Sequence, residues 1–232
     1  MDRLVKGKIE ITKKQGVKVY MKLYLSSYKV GNKTEELKKW ILENNNKIAI
    51  IANARDHYKD KEKAEQGILK DIEELEKIGF KVSRLDLKDY FNKQEKLKEF
   101  MQQFKAVYVI GGNTFVLRRA MKISGFDKYI KEKVNDSKFL YSGYSAGICV
   151  LAPSMEGIKI MDLPETDPYN YGSIIYEGIG LLDYTPIPHY QSDHFETELA
   201  NKAVEYCKEK GIIYKTLQDG DVFIYNKENL DG

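Results

Sequence analysis

Residues 143–147 read Gly-Tyr-Ser-Ala-Gly, and the hydroxyl at the centre of that pentapeptide is the group best suited to do chemistry. The apolar run Phe139, Leu140 and Tyr141 leads into it, and Ala146, Ile148, Cys149, Val150 and Leu151 follow before Pro153 stops the segment. Such a pattern is a short strand, a bend and the start of a helix, with one hydroxyl presented at the carboxyl end of the strand. Ser145 is therefore the candidate nucleophile. The competing reading is an ordinary strand-to-helix turn in which the serine is only a cap.

A serine hydroxyl attacks a carbonyl at neutral pH only with a base beside it, and the chain has three histidines, His57, His189 and His194. His57 lies in the charged stretch Arg55-Asp56-His57-Tyr58 and reads as a surface residue. His194 opens a helix pattern beside Asp193, where capping or solvation is the simpler role. His189 ends the extended piece Thr185-Pro186-Ile187-Pro188, whose prolines hold it in place, and it is the preferred base. The imidazole needs a third group to fix its tautomer. Asp219, in the turn Leu217–Asp221, is the first choice, with Asp221 and Asp193 as fallbacks and plain turn chemistry as the alternative.

The N–H groups of Gly112 and Ala146 are the expected oxyanion donors. Gly112 belongs to Gly111-Gly112-Asn113-Thr114, which follows an apolar strand and lets a ligand approach the main chain closely. Gly111 and Asn113 are the expected substrate contacts; capping of the next helix by Asn113 or Thr114 is the alternative. Neither G-x-G-x-x-G nor Gly-Lys-Ser/Thr occurs here, which argues against nucleotide binding.

These groups need a frame, and the chain supplies an alternating one. Ile48-Ala49-Ile50-Ile51-Ala52 and Ala106-Val107-Tyr108-Val109-Ile110 are apolar throughout, as strands buried on both faces are. Ile68, Ile72 and Leu75 mark one helix, stopped by Gly79, and Leu97, Phe100, Met101 and Phe104 mark another. Ahead of them, Leu23–Leu25 is a first strand, and Asn32 with Glu35 caps a helix bearing Leu37, Trp40 and Ile41. The order predicts an α/β fold: a doubly wound, mostly parallel sheet with helices on both faces and ligand sites beyond the carboxyl ends of the strands. Residues 153–180, with Pro164, Pro168, Gly172, Gly178 and several tyrosines, read as loops or short strands at one edge. After His189 a helix places Phe195, Leu199 and Ala203 on one face, and strands follow at Ile212–Tyr214 and Val222–Tyr225. Residues 1–20 read as an N-terminal extension or extra hairpin, and residues 21–232 as a single domain.

Of the 232 residues, 38 are basic and 35 acidic, interspersed rather than blocked, for a formal charge of +3. No basic face suggests nucleic acid, and no apolar run is long enough to span a membrane. Cys149 and Cys207 match no metal spacing and read as buried apolar groups in a reducing compartment. The expectation is a cytoplasmic protein without cofactor or metal, monomeric or homodimeric, whose partner is a small peptide substrate.

Taken in order, Gly111-Gly112-Asn113-Thr114-Phe115, Gly143-Tyr144-Ser145-Ala146-Gly147, Pro188-His189-Tyr190 and Asp219-Gly220 resemble peptidase E, the aspartyl dipeptidase family of serine peptidases related to cyanophycinase. The resemblance runs from about Met21 to the C-terminus. It implies a three-layer sandwich like that of class I glutamine amidotransferases (flavodoxin-like), a Ser145–His189–Asp219 triad, oxyanion donors at Gly112 and Ala146, and removal of an N-terminal residue from short peptides. Where the family often has glutamate as its acid, this chain has the shorter Asp219. A preference for N-terminal aspartate would require a cation, and Arg118 and Arg119 follow the glycine loop on a helix whose face reads as solvent. The alternatives are a cyanophycinase-like β-aspartyl peptide hydrolase and a catalytically silent small-molecule binding protein on the same fold.

Overall fold

The computed structural model describes residues 20–225; the extension or hairpin expected over residues 1–20 lies outside them, apart from Tyr20. Strands β1 (Lys22–Ser26), β2 (Lys47–Ile51), β3 (Lys81–Arg84), β4 (Ala106–Val109) and β5 (Leu140–Tyr144) alternate with helices α1 (Thr34–Glu43), α2 (Lys61–Ile78), α3 (Gln94–Met101), α4 (Thr114–Ser124) and α5 (Phe126–Lys133). The four-residue α6 (Ala146–Cys149) follows β5 directly. Then come β6 (Thr185–Ile187), α7 (Thr197–Lys210), β7 (Tyr214–Thr216) and β8 (Val222–Tyr225). The main sheet runs β3-β2-β4-β5-β1-β8, parallel except for β8, and β6 pairs with β7 in a separate parallel ribbon.

Consecutive strand residues point to opposite faces, so strands apolar at every position need cover on both. Tyr24, Ile48, Ile50 and Tyr108 pack under Leu37 and Trp40 of α1 and Ile68 and Leu75 of α2. Their neighbours Leu23, Leu25, Ala49, Ile51, Val107 and Val109 pack against Leu97 of α3, Phe115 and Leu117 of α4 and Phe126 of α5. The fold is an open α/β sandwich with helices on both faces, and it carries its loops to one rim. The chain leaves β2 toward β3 on one side and β4 toward β5 on the other, which opens a crevice between the ends of β2 and β4.

Three local expectations change. Helix α1 starts at Thr34 with Lys33 rather than Asn32 at its N-cap, and the Asn32 N–H is bonded to the Gly220 carbonyl at 2.9 Å. In α7 the buried face is Ala200, Ala203, Val204 and Cys207, whereas Phe195 precedes the helix and is 86% exposed. Residues 153–180 form a short 3-10 helix (Glu156–Ile160), turns and one isolated bridge between Ser154 and Glu177, with no strand of their own.

Gly147 fixes how closely the bend after β5 packs on β4: a β-carbon there would lie 2.1 Å from the Val109 carbonyl oxygen, a backbone atom that cannot step aside. Gly147→Ala is expected to lower unfolding stability by about 1–3 kcal/mol through this overpacking. An unchanged urea midpoint would show that the bend has room that the packing denies.

Candidate active site

β5 delivers Ser145 to the rim in a backbone conformation that L-residues rarely adopt, φ 49° and ψ −118°. A non-glycine residue held there is strained, and the strain persists because both flanks are pinned. Ahead of it, the Tyr144 hydroxyl sits 3.1–3.2 Å from the buried Asp71 carboxylate and accepts a hydrogen bond from Arg55 Nη2 at 2.7 Å. Behind it, the Ser145 carbonyl accepts from the N–H groups of Ile148 and Cys149. The side chain is thus offered to the rim on a fixed elbow.

The ribbon β6–β7 brings His189 and Asp219 together although thirty positions separate them. His189 Nδ1 lies 2.8 Å from Asp219 Oδ1, and its ring is almost wholly buried. Ser27, just past β1, ties the pair to the sheet: its hydroxyl donates to Asp219 Oδ1 at 2.9 Å and accepts the His189 N–H at 2.8 Å. Thr197, at the start of α7, donates to the His189 carbonyl at 2.7 Å. With φ at 61°, His189 also occupies the left-handed region, over-determined by these bonds. Ser27 and Thr197 went unnoticed in the sequence because nothing local distinguishes a hydroxyl at a strand end from any other.

Burial pushes the His189 imidazole down to about 4, and the stacked ring of His194 adds to the fall while Asp219 opposes it. The two rings lie face to face, 3.8 Å between centroids and 7° between planes. His194 is thus a packing partner of His189 and also caps the start of α7, its Nδ1 accepting the Glu196 N–H; it is not a solvated residue. Glu196 Oε2 stands 3.5 Å from His189 Nε2, and burial raises this carboxyl to about 7, helped by Asp162 and Asp219. At neutral pH the imidazole keeps a free lone pair on Nε2 while Asp219 fixes Nδ1 as the protonated nitrogen.

Gly111 and Gly112 leave β4 beside the elbow: a β-carbon on Gly111 would meet that of Ser145 at 3.0 Å, and one on Gly112 would lie 2.5 Å from the Ala54 carbonyl. The Gly112 N–H has no hydrogen-bond partner among the described residues. Ala146 opens α6, so no preceding helical turn receives its N–H. The other nearby donor, the first amide of α4, is already held by the Asp162 carboxylate at 2.8 Å.

A cavity of about 810 Å³ opens over these groups, lined by Ser145, His189, Gly111, Gly112, Tyr28, His194 and Glu196. Ser145 and His189 face the same space, and no hydrogen bond joins hydroxyl to ring among the described residues; unliganded sites commonly hold these groups apart. Lys29, Arg55, Lys63 and Lys70 also line the cavity, Arg55 beside Gly111, whose carbonyl it bonds at 3.2 Å.

Four sequence expectations are redirected. Arg118 and Arg119 do not face solvent: both are buried. Arg118 bonds Asp127 and the Glu177 carbonyl, and Arg119 bonds the carbonyls of Pro164, Thr166 and Ser173. They anchor the tyrosine-rich segment and leave no charge for a ligand. Asn113 lies outside the cavity lining and caps α4, its Oδ1 accepting from the N–H groups of Phe115 and Val116 at 2.9 Å. His57 is on the loop after β2 as expected, but it is half-buried and lines the cavity, with Nδ1 shielded from solvent. Of the fallback acids, Asp221 accepts the Gln218 N–H, so it closes the turn that presents Asp219.

The chain matches Peptidase family S51 over residues 23–231. It is 33% identical to an uncharacterized peptidase of Listeria monocytogenes over 157 residues, covering 66% of this chain and 72% of the relative. It is 31% identical to an uncharacterized peptidase of Listeria innocua over 58% of this chain and 61% of the relative. In structure it superposes on a crystal structure from L. monocytogenes with a provisional peptidase E designation, at TM-score 0.68, 22% identity, and coverage of 89% and 98% of the two chains. A peptidase from an acI-B1 Actinobacterium follows at TM-score 0.63, 15% identity, and coverage of 91% and 85%. Among the described residues no helix is long and apolar enough to cross a membrane. The chain belongs to peptidase family S51 and is a serine-type peptidase.

Proposed function

We propose that the protein is an exopeptidase that removes the N-terminal residue from dipeptides and short peptides, acidic ones preferred, through an acyl-enzyme on Ser145. The observation that supports this reading is the His189–Asp219 contact at Nδ1, which in the Nδ1-protonated tautomer leaves the Nε2 lone pair available on a ring that lines the same cavity as Ser145. His189 takes the Ser145 proton as the hydroxyl oxygen attacks the peptide carbonyl. The N–H groups of Gly112 and Ala146 receive the oxyanion, each such donor typically contributing ~3 kcal/mol to the transition state. The imidazolium then protonates the departing amine, and water repeats the sequence to release the acid. Asp219, assisted by Ser27, keeps the ring in the tautomer that both half-reactions need.

Charge across the cavity supports a short zwitterionic substrate. Glu196, beside the imidazole, is the anchor for an α-ammonium, and the cations that line the same cavity, Lys29, Arg55, Lys63 and Lys70, suit a carboxylate. The cation that an acidic substrate requires thus comes from the loops after β1 and β2 or from α2, rather than from Arg118 or Arg119. Arg55 is the best defined of these cations, held by the Gly111 carbonyl, Tyr144 and Asp71.

Ser145→Ala is expected to reduce hydrolysis of Asp-X dipeptides at least a thousandfold without changing the melting temperature. Asp-X, β-Asp-Arg and Leu-X dipeptides are to be offered side by side to the unaltered protein, with Asp-X turned over fastest. Undiminished turnover by the alanine variant would end the serine reading. Fastest cleavage of β-Asp-Arg would move the assignment to a cyanophycinase-like hydrolase, and the absence of both hydrolysis and fluorophosphonate labelling would favour a silent binding protein.

Both His189 and Glu196 must be unprotonated in this scheme, so kcat/KM rises with pH in two steps, near pH 4 for the imidazole and near pH 7 for the carboxyl. Glu196→Gln is expected to remove the upper step and raise KM. A single step at the ordinary imidazole position, unmoved by that substitution, would contradict the roles given to both groups.

A further inference from the structure

We propose that His189, His194 and Glu196 form a binding site for a zinc ion that silences the peptidase. The nitrogen and oxygen atoms these side chains offer all lie within 4.8 Å of one another. Glu196 Oε2 is 3.5 Å from His189 Nε2 and 3.8 Å from His194 Nδ1. Ligand atoms about 2.1 Å from a tetrahedral zinc stand about 3.4 Å apart, so these two edges are within a few tenths of an ångström of coordination geometry.

Each imidazole has one nitrogen lone pair to offer. His189 Nδ1 is engaged by Asp219, and a carboxylate on the far nitrogen is the outer support that zinc-binding imidazoles usually have. His194 Nδ1 accepts the Glu196 N–H at 3.2 Å, so it too carries a lone pair turned toward that residue. An ion would take over that lone pair. Because the rings lie face to face, convergence on one ion requires the His194 ring to swing. Its side chain is 10% exposed against 2% for His189, so it is the freer of the two. Two imidazoles and one carboxylate, with a fourth position open to the cavity, are a donor set for zinc rather than for the oxygen-seeking magnesium or calcium.

Zinc held there occupies the Nε2 lone pair needed to deprotonate Ser145 and the carboxylate proposed to hold the substrate ammonium. Metal occupancy and turnover are therefore mutually exclusive. That consequence rests on the function proposed above, whereas the binding itself does not.

The test uses the full chain freed of metal by a chelator, with zinc alone titrated against a chromophoric competitor. One zinc per chain is expected, with affinity unchanged in Ser145→Ala and weakened at least tenfold in both His194→Ala and Glu196→Gln, each shown by circular dichroism to be folded. Peptidase activity should fall in proportion to zinc occupancy and return with EDTA, while magnesium does neither. No saturable binding up to millimolar zinc, or unchanged affinity in either variant, would overturn the site. Stoichiometric binding with full turnover would overturn the silencing role. Should Ser145→Ala remain active, the proposed mechanism fails, while the metal site still stands or falls on the affinities.

Discussion

A buried imidazole keeps one tautomer and one orientation only when something fixed holds one of its nitrogens, and here that group is Asp219, 2.8 Å from His189 Nδ1. Neither residue belongs to the main sheet; both come from the β6–β7 ribbon and the turns after it. Ser27 makes the bond a property of the whole fold, because its one hydroxyl engages the His189 backbone and the Asp219 carboxylate from the end of β1, a strand paired on both sides within the main sheet. The positive φ of His189 shows that the backbone is bent to meet this requirement.

Against that fixed ring stands an equally constrained serine. The elbow at Ser145 is kept strained by the contact of Gly147 with β4 on one side and by the buried Tyr144–Asp71–Arg55 cluster on the other. That cluster also sets the electrostatics of the cavity. Asp71 is wholly buried and paired with Lys29 and Arg55, so the guanidinium is held at the cavity wall beside Gly111 rather than free in solvent. Strain at the nucleophile, the Arg55 charge on the cavity wall and the Gly111–Gly112 turn are three results of packing β2, β4 and β5 side by side.

Much of this was legible in the sequence, for reasons that separate local from tertiary information. Ser145, Gly112 and the strands that carry them are written in short contiguous patterns: apolar runs, paired glycines and a hydroxyl between them. His189 and Asp219 could be singled out because proline rigidity and turn chemistry are also local. Ser27 and Glu196 were not legible, since their significance is created by β1 and α7 arriving at the same rim, and a charge within Asp193–Glu198 looks like any solvated helix start. The same limit explains Arg118 and Arg119, whose burial comes from loop residues some fifty positions away. It also explains α7, where small residues rather than Phe195 and Leu199 face inward.

In the proposed mechanism Asp219 acts through the orientation it imposes on His189, and the replacement that keeps its shape while removing its charge tests this most directly. With Asp219→Asn, steady-state kinetics on a cleaved dipeptide should show kcat lower by about 10³–10⁴-fold, KM nearly unchanged and the melting curve intact. Turnover within a few-fold of the unaltered protein, in a folded variant, would mean that the ring needs no such partner and that the account of this site is wrong.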